Sequence, residues 1–139
     1  MTKRCGIDTS ILVRLATGEP EQAFEDIAAA LTRIVESEHV PLFASNMVVG
    51  EAYIALQHHY GVTKPDAKAA LRSVLTSGLV APSGGDAVLE ALATNRGCGL
   101  LDRLIALQYS GEGLGTLTLD RKMAALPNVT RLAGKPRSR

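Results

Sequence analysis

Apolar residues along the chain fall into short runs and into longer stretches at helical spacing. The short runs predict strands over residues 5–7, 40–44, 79–81, 113–119 and 129–132. The longer stretches predict helices over residues 9–16, 21–35, 46–60, 64–75, 86–93, 100–109 and 121–126, with Ser45 or Asn46 as the cap of the third. Strands that alternate with helices favour a parallel sheet covered on both faces. We therefore expect an α/β fold, a three-layer α/β/α domain with a central parallel sheet of four to five short strands.

Length and composition are those of one globular domain. The chain has 139 residues, 46% of them hydrophobic and 21% charged, which excludes a disordered chain. No linker or repeat divides it, so we expect a single domain over residues 1–133 and a basic, flexible tail over 134–139. No apolar run reaches the ~18 residues that span a membrane. With no signal-peptide pattern before the first strand and no disulfide or metal spacing between Cys5 and Cys98, the sequence predicts a cytoplasmic protein.

Charge is unevenly distributed along the chain. From Arg96 onward the sequence has eight basic and three acidic residues, whereas the part before it has seven basic and eleven acidic residues. A basic C-terminal third is compatible with a polyanionic partner. It is equally compatible with a solvated surface and a basic tail, so charge alone does not decide.

Four acidic residues stand where charge is costly. Asp8 follows the first predicted strand and Asp120 follows the fourth, so both should lie at the carboxyl edge of a parallel sheet, where ligands gather. Glu51 and Asp102 interrupt apolar helical runs. The run around Glu51 is apolar on nearly all sides, which predicts that this helix is buried.

Each acid has a structural alternative. Asp8 and Asp120 are natural N-caps of the helices that follow them, Glu51 could reach solvent or pair with a buried base, and Asp102 could pair with Arg103 or Arg96. Taken together, four converging carboxylates instead predict a site for a hard divalent cation, Mg²⁺ or Mn²⁺. Such a carboxylate-bound ion suits phosphoryl chemistry.

Other chemistries lack their motifs. Neither the G-x-x-x-x-G-K-[ST] loop nor the G-x-G-x-x-G loop is present, and the segment after Asp8 lacks the second acid of an aspartyl-phosphate loop. His58 and His59 are adjacent and therefore face different sides of a helix, and His39 lies in a predicted turn. We expect these histidines to be solvated.

Three segments together resemble a known family. Residues 6–15, which contain Asp8-Thr9-Ser10, are similar to the opening D-[TS]-[NS] strand and turn of PIN-domain ribonucleases, and residues 46–51 resemble their glutamate-bearing helix. The most specific part is the pair formed by residues 99–106 and 116–123, whose acids, Asp102 and Asp120, stand about 18 residues apart. Within the family the chain most resembles VapC toxins of prokaryotic toxin–antitoxin pairs.

The resemblance implies a function and a site. It implies a Mg²⁺- or Mn²⁺-dependent endoribonuclease in which Asp8, Glu51, Asp102 and Asp120 hold the metal and Thr118 bonds a carboxylate or a metal-bound water, as Thr9 or Ser10 would also do. It further implies a homodimer, a cognate VapB-type antitoxin lying over the acidic pocket, and a hetero-oligomer of both on operator DNA. A PIN nuclease without a toxin role and a non-catalytic interaction module remain the alternatives. Arg103, where the family commonly has alanine, either contacts RNA or is solvated.

Overall fold

The computed structural model describes residues 3–132, so the predicted tail over 134–139 lies outside the described residues. Strands and helices follow one another in the predicted order. They are β1 (Cys5–Gly6), α1 (Thr9–Thr17), α2 (Glu21–Ser37), β2 (Leu42–Ala44), α3 (Asn46–Tyr60), α4 (Lys64–Leu75), β3 (Val80–Pro82), α5 (Asp86–Ala93), α6 (Leu100–Gly111), β4 (Thr116–Thr118) and β5 (Val129–Arg131). No helix within residues 3–132 is both long and apolar enough to cross a membrane.

Local capping explains where the helices begin and end. The Ser45 hydroxyl accepts a hydrogen bond from the Val48 N–H at 3.2 Å, so Ser45, and not Asn46, caps α3. The Thr63 hydroxyl does the same for α4 at the Asp66 N–H, at 3.3 Å. Gly18 and Gly61 end α1 and α3 in the left-handed conformation, with φ of 68° and 64°.

The strands are all parallel, and the predicted α/β class is confirmed. β1, β2 and β3 form one sheet in that order, with Leu42 opposite both Cys5 and Val80. β4 and β5 form a second sheet, so the five strands are divided between two sheets and do not make one continuous sheet. β1 has only two residues and pairs with β2.

The predicted helix over residues 121–126 is wrong in extent. Only Met123–Ala125 form a short 3₁₀ turn. The Asp120 carboxylate accepts a hydrogen bond from the Lys122 N–H at 2.9 Å, which makes a turn at the position where an α-helix would begin, and Pro127 follows at once.

Two apolar clusters hold these elements together. The main core joins the helices around side chains that are fully buried, among them Leu12, Leu56, Leu71 and Leu92. A smaller cluster is formed by Cys98, Ala106 and Met123, with Leu126 and Val129 packed against it. Because Ala106 belongs to α6 and Val129 to β5, this second cluster attaches the small sheet to α6.

A buried lysine fixes the end of α5. Lys68 is only 8% exposed, and its ammonium donates to the carbonyl of Thr94 at 2.6 Å, just beyond the last residue of α5. Burial lowers the pKa of Lys68, and the neighbouring charges of Arg103 and Lys64 lower it further. The bond satisfies a carbonyl at the helix end and sets the start of the connection that leads to α6.

A substitution at Gly84 tests the packing between β3 and α3. A Cβ at Gly84 would lie 2.7 Å from Val88 Cγ2 and 2.8 Å from Asn46 Oδ1. We therefore expect Gly84→Ala to lower the free energy of unfolding by about 1–3 kcal/mol, as overpacking commonly does. Urea denaturation measures this value.

Gly111→Ala is the matched control for this substitution. A Cβ at Gly111 would meet nothing within 4 Å, so the control should leave the free energy of unfolding unchanged or raise it slightly. Equal stabilities of the two variants would contradict the packing described.

Candidate functional site

Asp8 both caps α1 and presents a carboxylate at the end of β1. Its Oδ1 accepts hydrogen bonds from the Ser10 hydroxyl at 2.6 Å and from the Ile11 N–H at 3.2 Å. These two bonds, the one from Ser10 first, lower the pKa of Asp8 below its ordinary value of 3.8. Capping and ligand binding are compatible, because a carboxylate has about four acceptor positions.

Glu51 is exposed, so the predicted burial of this part of α3 is wrong. Met47, Glu51 and Ile54 recur at i, i+4 and i+7 and therefore share one side of the helix. That side is left uncovered, with Met47 76% and Ile54 38% exposed. The Thr9 hydroxyl donates to Glu51 Oε1 at 2.9 Å, which joins the turn that carries Asp8 to the acid on α3.

Asp102 and Asp120 both influence the pKa of a buried thiol. Asp102 is half-buried in the first turn of α6, and Asp120 is exposed after β4. Burial raises the pKa of Cys98, Asp102 and Asp120 raise it further, and Arg103 opposes them. Both carboxylates therefore act on the same side chain, which sequence reasoning had treated as an isolated cysteine.

Thr118 supports the turn that carries Asp120. Its hydroxyl oxygen accepts a hydrogen bond from the Asp120 N–H at 3.0 Å, and the Asp120 carboxylate accepts one from the Lys122 N–H at 2.9 Å. The predicted contact of Thr118 with a carboxylate or a metal-bound water stays a prediction.

Arg103 is half-buried, so it is not the solvated residue that one of the two alternatives expected, and its contact with RNA stays a prediction. Its Nε donates to the carbonyl of Cys98 at 3.2 Å and its Nη2 to the carbonyl of Arg96 at 2.5 Å. The guanidinium therefore fastens the turn before α6, and Gly97 leaves it room, since a Cβ there would lie 3.0 Å from Nη2. This contact sets the position of the helix start that carries Asp102.

Of the four predicted acids, Asp8 and Glu51 are joined by a direct contact, because the turn that carries Asp8 bonds Glu51 through Thr9. Asp102 and Asp120 share only their effect on the pKa of Cys98. Within residues 3–132 no three His, Cys, Asp or Glu side chains are placed to hold a metal ion. The donors are chemically suited to a hard divalent cation, because they are oxygen atoms and three of the four side chains are exposed. His39, His58 and His59 are all exposed, as predicted.

A groove beside Glu51 was missed by the sequence analysis. It lies between α3 and α6, has a volume of about 980 Å³, and is lined mainly by apolar side chains, among them Met47, Ile54, Leu101, Ile105 and Tyr109. We call it the α3–α6 groove. Buried Asn46 joins its two walls, because its Nδ2 donates to the carbonyl of Leu104 at 3.1 Å. The recurrence of Leu101, Ile105 and Tyr109 every four residues was the signal available in the sequence.

Comparison with known proteins gives one match. A family model described as PIN domain matches residues 6–129. No curated protein and no solved structure matches the chain significantly. The matched range begins just before Asp8 and extends past Asp120, so it contains all four acids.

The lowered pKa of Asp8 can be tested at Ser10. Because the Ser10 hydroxyl is the first cause of that lowering, Ser10→Ala should raise the pKa of the Asp8 carboxyl. A carbon-detected NMR titration of the metal-free protein measures it. A pKa that is lower in the folded chain than in the unfolded chain stabilises the fold at pH values above the unfolded-state pKa, and this stability is lost as pH falls through the folded-state pKa. Ser10→Ala should therefore lose less stability on acidification than the unmodified protein.

Thr9→Ala is the control, since the Thr9 hydroxyl bonds Glu51 and not Asp8. An Asp8 pKa that moves equally in both variants, or in neither, would show that the Ser10 contact does not set it.

Proposed function

The chain belongs to the PIN domain family, and on this premise we propose that it is a Mg²⁺- or Mn²⁺-dependent endoribonuclease that acts as the toxin of a toxin–antitoxin pair. PIN domains are generally nucleases and typically use a divalent metal. The observation that carries the proposal is the 2.9 Å hydrogen bond between Thr9 and Glu51. It couples the strand-end acid of the matched segment to an acid 43 residues away in sequence.

The residues divide into ligands and supports. Asp8, Glu51, Asp102 and Asp120 would hold the ion, and a bound Mg²⁺ or Mn²⁺ supplies an activated water and offsets charge on the scissile phosphate. Ser10 and Thr9 restrict the orientation of the Asp8 and Glu51 carboxylates through the hydrogen bonds described. The hydrogen bonds from Ser10 and Ile11 favour the ionised form of Asp8, which is the form that binds a metal.

Arginine and lysine side chains near the acids would bind the RNA backbone. Arg96, Arg121 and Lys122 are exposed and lie within three residues in sequence of Cys98 or Asp120. Their charges would oppose the repulsion between a phosphate and the carboxylates, and binding would weaken as salt rises.

The lining of the α3–α6 groove is an argument for an antitoxin partner. Its walls are apolar, its charged lining residues include the acids Glu51 and Glu112, and it has no lysine or arginine among them. An amphipathic segment of a VapB-type antitoxin, with basic residues beside its apolar ones, would fit there and cover Glu51. The proposal includes a homodimer, assembly with the antitoxin on operator DNA, and a cytoplasmic location, which two free thiols suit.

Cleavage of RNA in the presence of Mn²⁺ tests the nuclease claim. We expect the protein to cut a structured RNA with Mn²⁺ and not with a chelator, and expect Asp8→Asn to lower the rate by about 100-fold or more, since loss of even an outer-shell group costs 10–100-fold. Asp66→Asn, an exposed acid in the first turn of α4, is the matched control and should cut normally. Expression of the chain should arrest growth, and expression of Asp8→Asn should not.

Equal cutting by Asp8→Asn and the unmodified chain would contradict the assigned site. Absence of cutting of any cellular RNA would remove the nuclease claim. Calorimetric titration with Mn²⁺ then tests the alternative of a non-catalytic interaction module. That alternative is favoured if the protein does not bind Mn²⁺, or if Asp102→Ala binds Mn²⁺ as the unmodified protein does.

A further inference from the structure

Two surfaces flank the acids, and they differ in charge. One is the α3–α6 groove, whose lining carries Glu51 and Glu112. The other is the outer side of the small sheet together with the turn after β4, which we call the β4–β5 surface. It comprises Leu117, Leu119, Thr130, Leu132, Arg121, Lys122 and Arg131.

The β4–β5 surface exposes large apolar side chains in a regular arrangement. Leu117 is opposite Thr130 in the parallel register, so both point to one face of the sheet. Leu119 and Leu132 are the residues directly after β4 and β5. The hydrogen bond from the Leu132 N–H to the Thr118 carbonyl, at 2.7 Å, extends the pairing as far as Leu132. Leu117 is 71%, Leu119 74% and Leu132 56% exposed, which is unusual for leucines so close together.

Cations lie at one end of this apolar face, next to Asp120. Arg131 is opposite Thr118 and therefore starts from the other face of the sheet. It is exposed, however, and its Nε donates to the carbonyl of Leu119 at 3.4 Å, which places the guanidinium beside the end of β4. Arg121 and Lys122 are exposed in the turn that the Asp120 carboxylate closes. From Asp120 to the end of the sequence there are six basic residues and one acidic residue, Asp120 itself.

From this charge difference we infer that the β4–β5 surface binds single-stranded RNA and leads it to the acids, and that the α3–α6 groove does not. Arg121, Lys122 and Arg131 bind phosphates, and the exposed leucines contact the faces of unpaired bases. Apolar contact requires bases that are not stacked in a duplex, which is why the ligand is single-stranded. In the groove, Glu51 and Glu112 would repel the phosphates that any base carries with it. This inference rests on the proposed ribonuclease function and specifies its substrate and path.

Binding of a labelled RNA tests the surface independently of cleavage. The probe is a fluorescent, unstructured oligoribonucleotide of mixed sequence, and a chelator keeps the protein from cutting it. Lys122→Glu combined with Arg131→Glu should weaken binding, measured by anisotropy, by at least about 10-fold. The slope of log K against log salt should fall by about 1.4, at about 0.7 for each phosphate contact on a single strand.

Arg33→Glu combined with Lys64→Glu is the matched control, because both residues are exposed and lie on α2 and α4, outside the surface. This pair makes the same change of net charge and should bind nearly as the unmodified protein does. Leu119→Ser tests the apolar part and should weaken binding of the single strand but not the weak binding of a duplex. Circular dichroism shows whether each variant folds. If the Lys122→Glu, Arg131→Glu variant is unfolded, Leu119→Ser still tests the surface.

Each result supports or contradicts the inference that the β4–β5 surface binds RNA. If the Lys122→Glu, Arg131→Glu variant and the control variant lose RNA affinity equally, net charge alone accounts for binding and the inference is wrong. The inference is also wrong if RNA binding is unchanged in both variants. If RNA fails to bind and an acidic polypeptide, polyglutamate, binds in its place, the surface belongs to a protein partner and the inference is wrong. RNA bound through this surface but never cut with Mn²⁺ would support the inference and contradict the proposed function. Normal cutting of RNA with Mn²⁺, together with RNA binding that the substitutions leave unchanged, would contradict the inference and support the proposed function.

Discussion

The packing of α1 against α3 and α4 determines where Asp8 and Glu51 lie. Leu12 on α1, Leu56 on α3 and Leu71 on α4 are buried to 0%, 1% and 0% exposure and belong to one cluster. Each such side chain contributes about 1.5–3 kcal/mol through burial. Because close-packed interiors resist sliding, the start of α1 is held beside α3, and Thr9 meets Glu51 as a consequence.

The second half of the site depends on polar contacts to main-chain carbonyls. Lys68 holds the end of α5, Arg103 holds the turn before α6, and Asn46 ties α6 to α3. In each case a side-chain donor satisfies a carbonyl, and the first two of these bonds are charge-assisted and therefore stronger than neutral ones. The position of Asp102 relative to Glu51 thus follows from these three bonds as well as from apolar packing.

Local sequence signals predicted the elements well, because capping and hydrophobic spacing act within a few residues. Ser45, one of the two caps predicted for the third helix, accepts the capping hydrogen bond of α3 in the structure. The division into two sheets was not predictable, since strands of two or three residues choose partners through tertiary contacts. Positions of side chains were less predictable still. An apolar helix can be left uncovered on one side, as at Glu51, and Arg103 had carbonyl partners that no sequence pattern reveals.

The proposed function requires that the pair Asp8 and Glu51 and the pair Asp102 and Asp120 act together on one metal site. X-ray diffraction from crystals grown with Mn²⁺, recorded at the manganese absorption edge, locates the ion directly. We predict an anomalous peak bounded by oxygens from both pairs, at the roughly 2.0–2.2 Å distances of a small hard cation. A peak bound by one pair alone, a peak elsewhere on the protein, or no peak at saturating Mn²⁺ would contradict the claim.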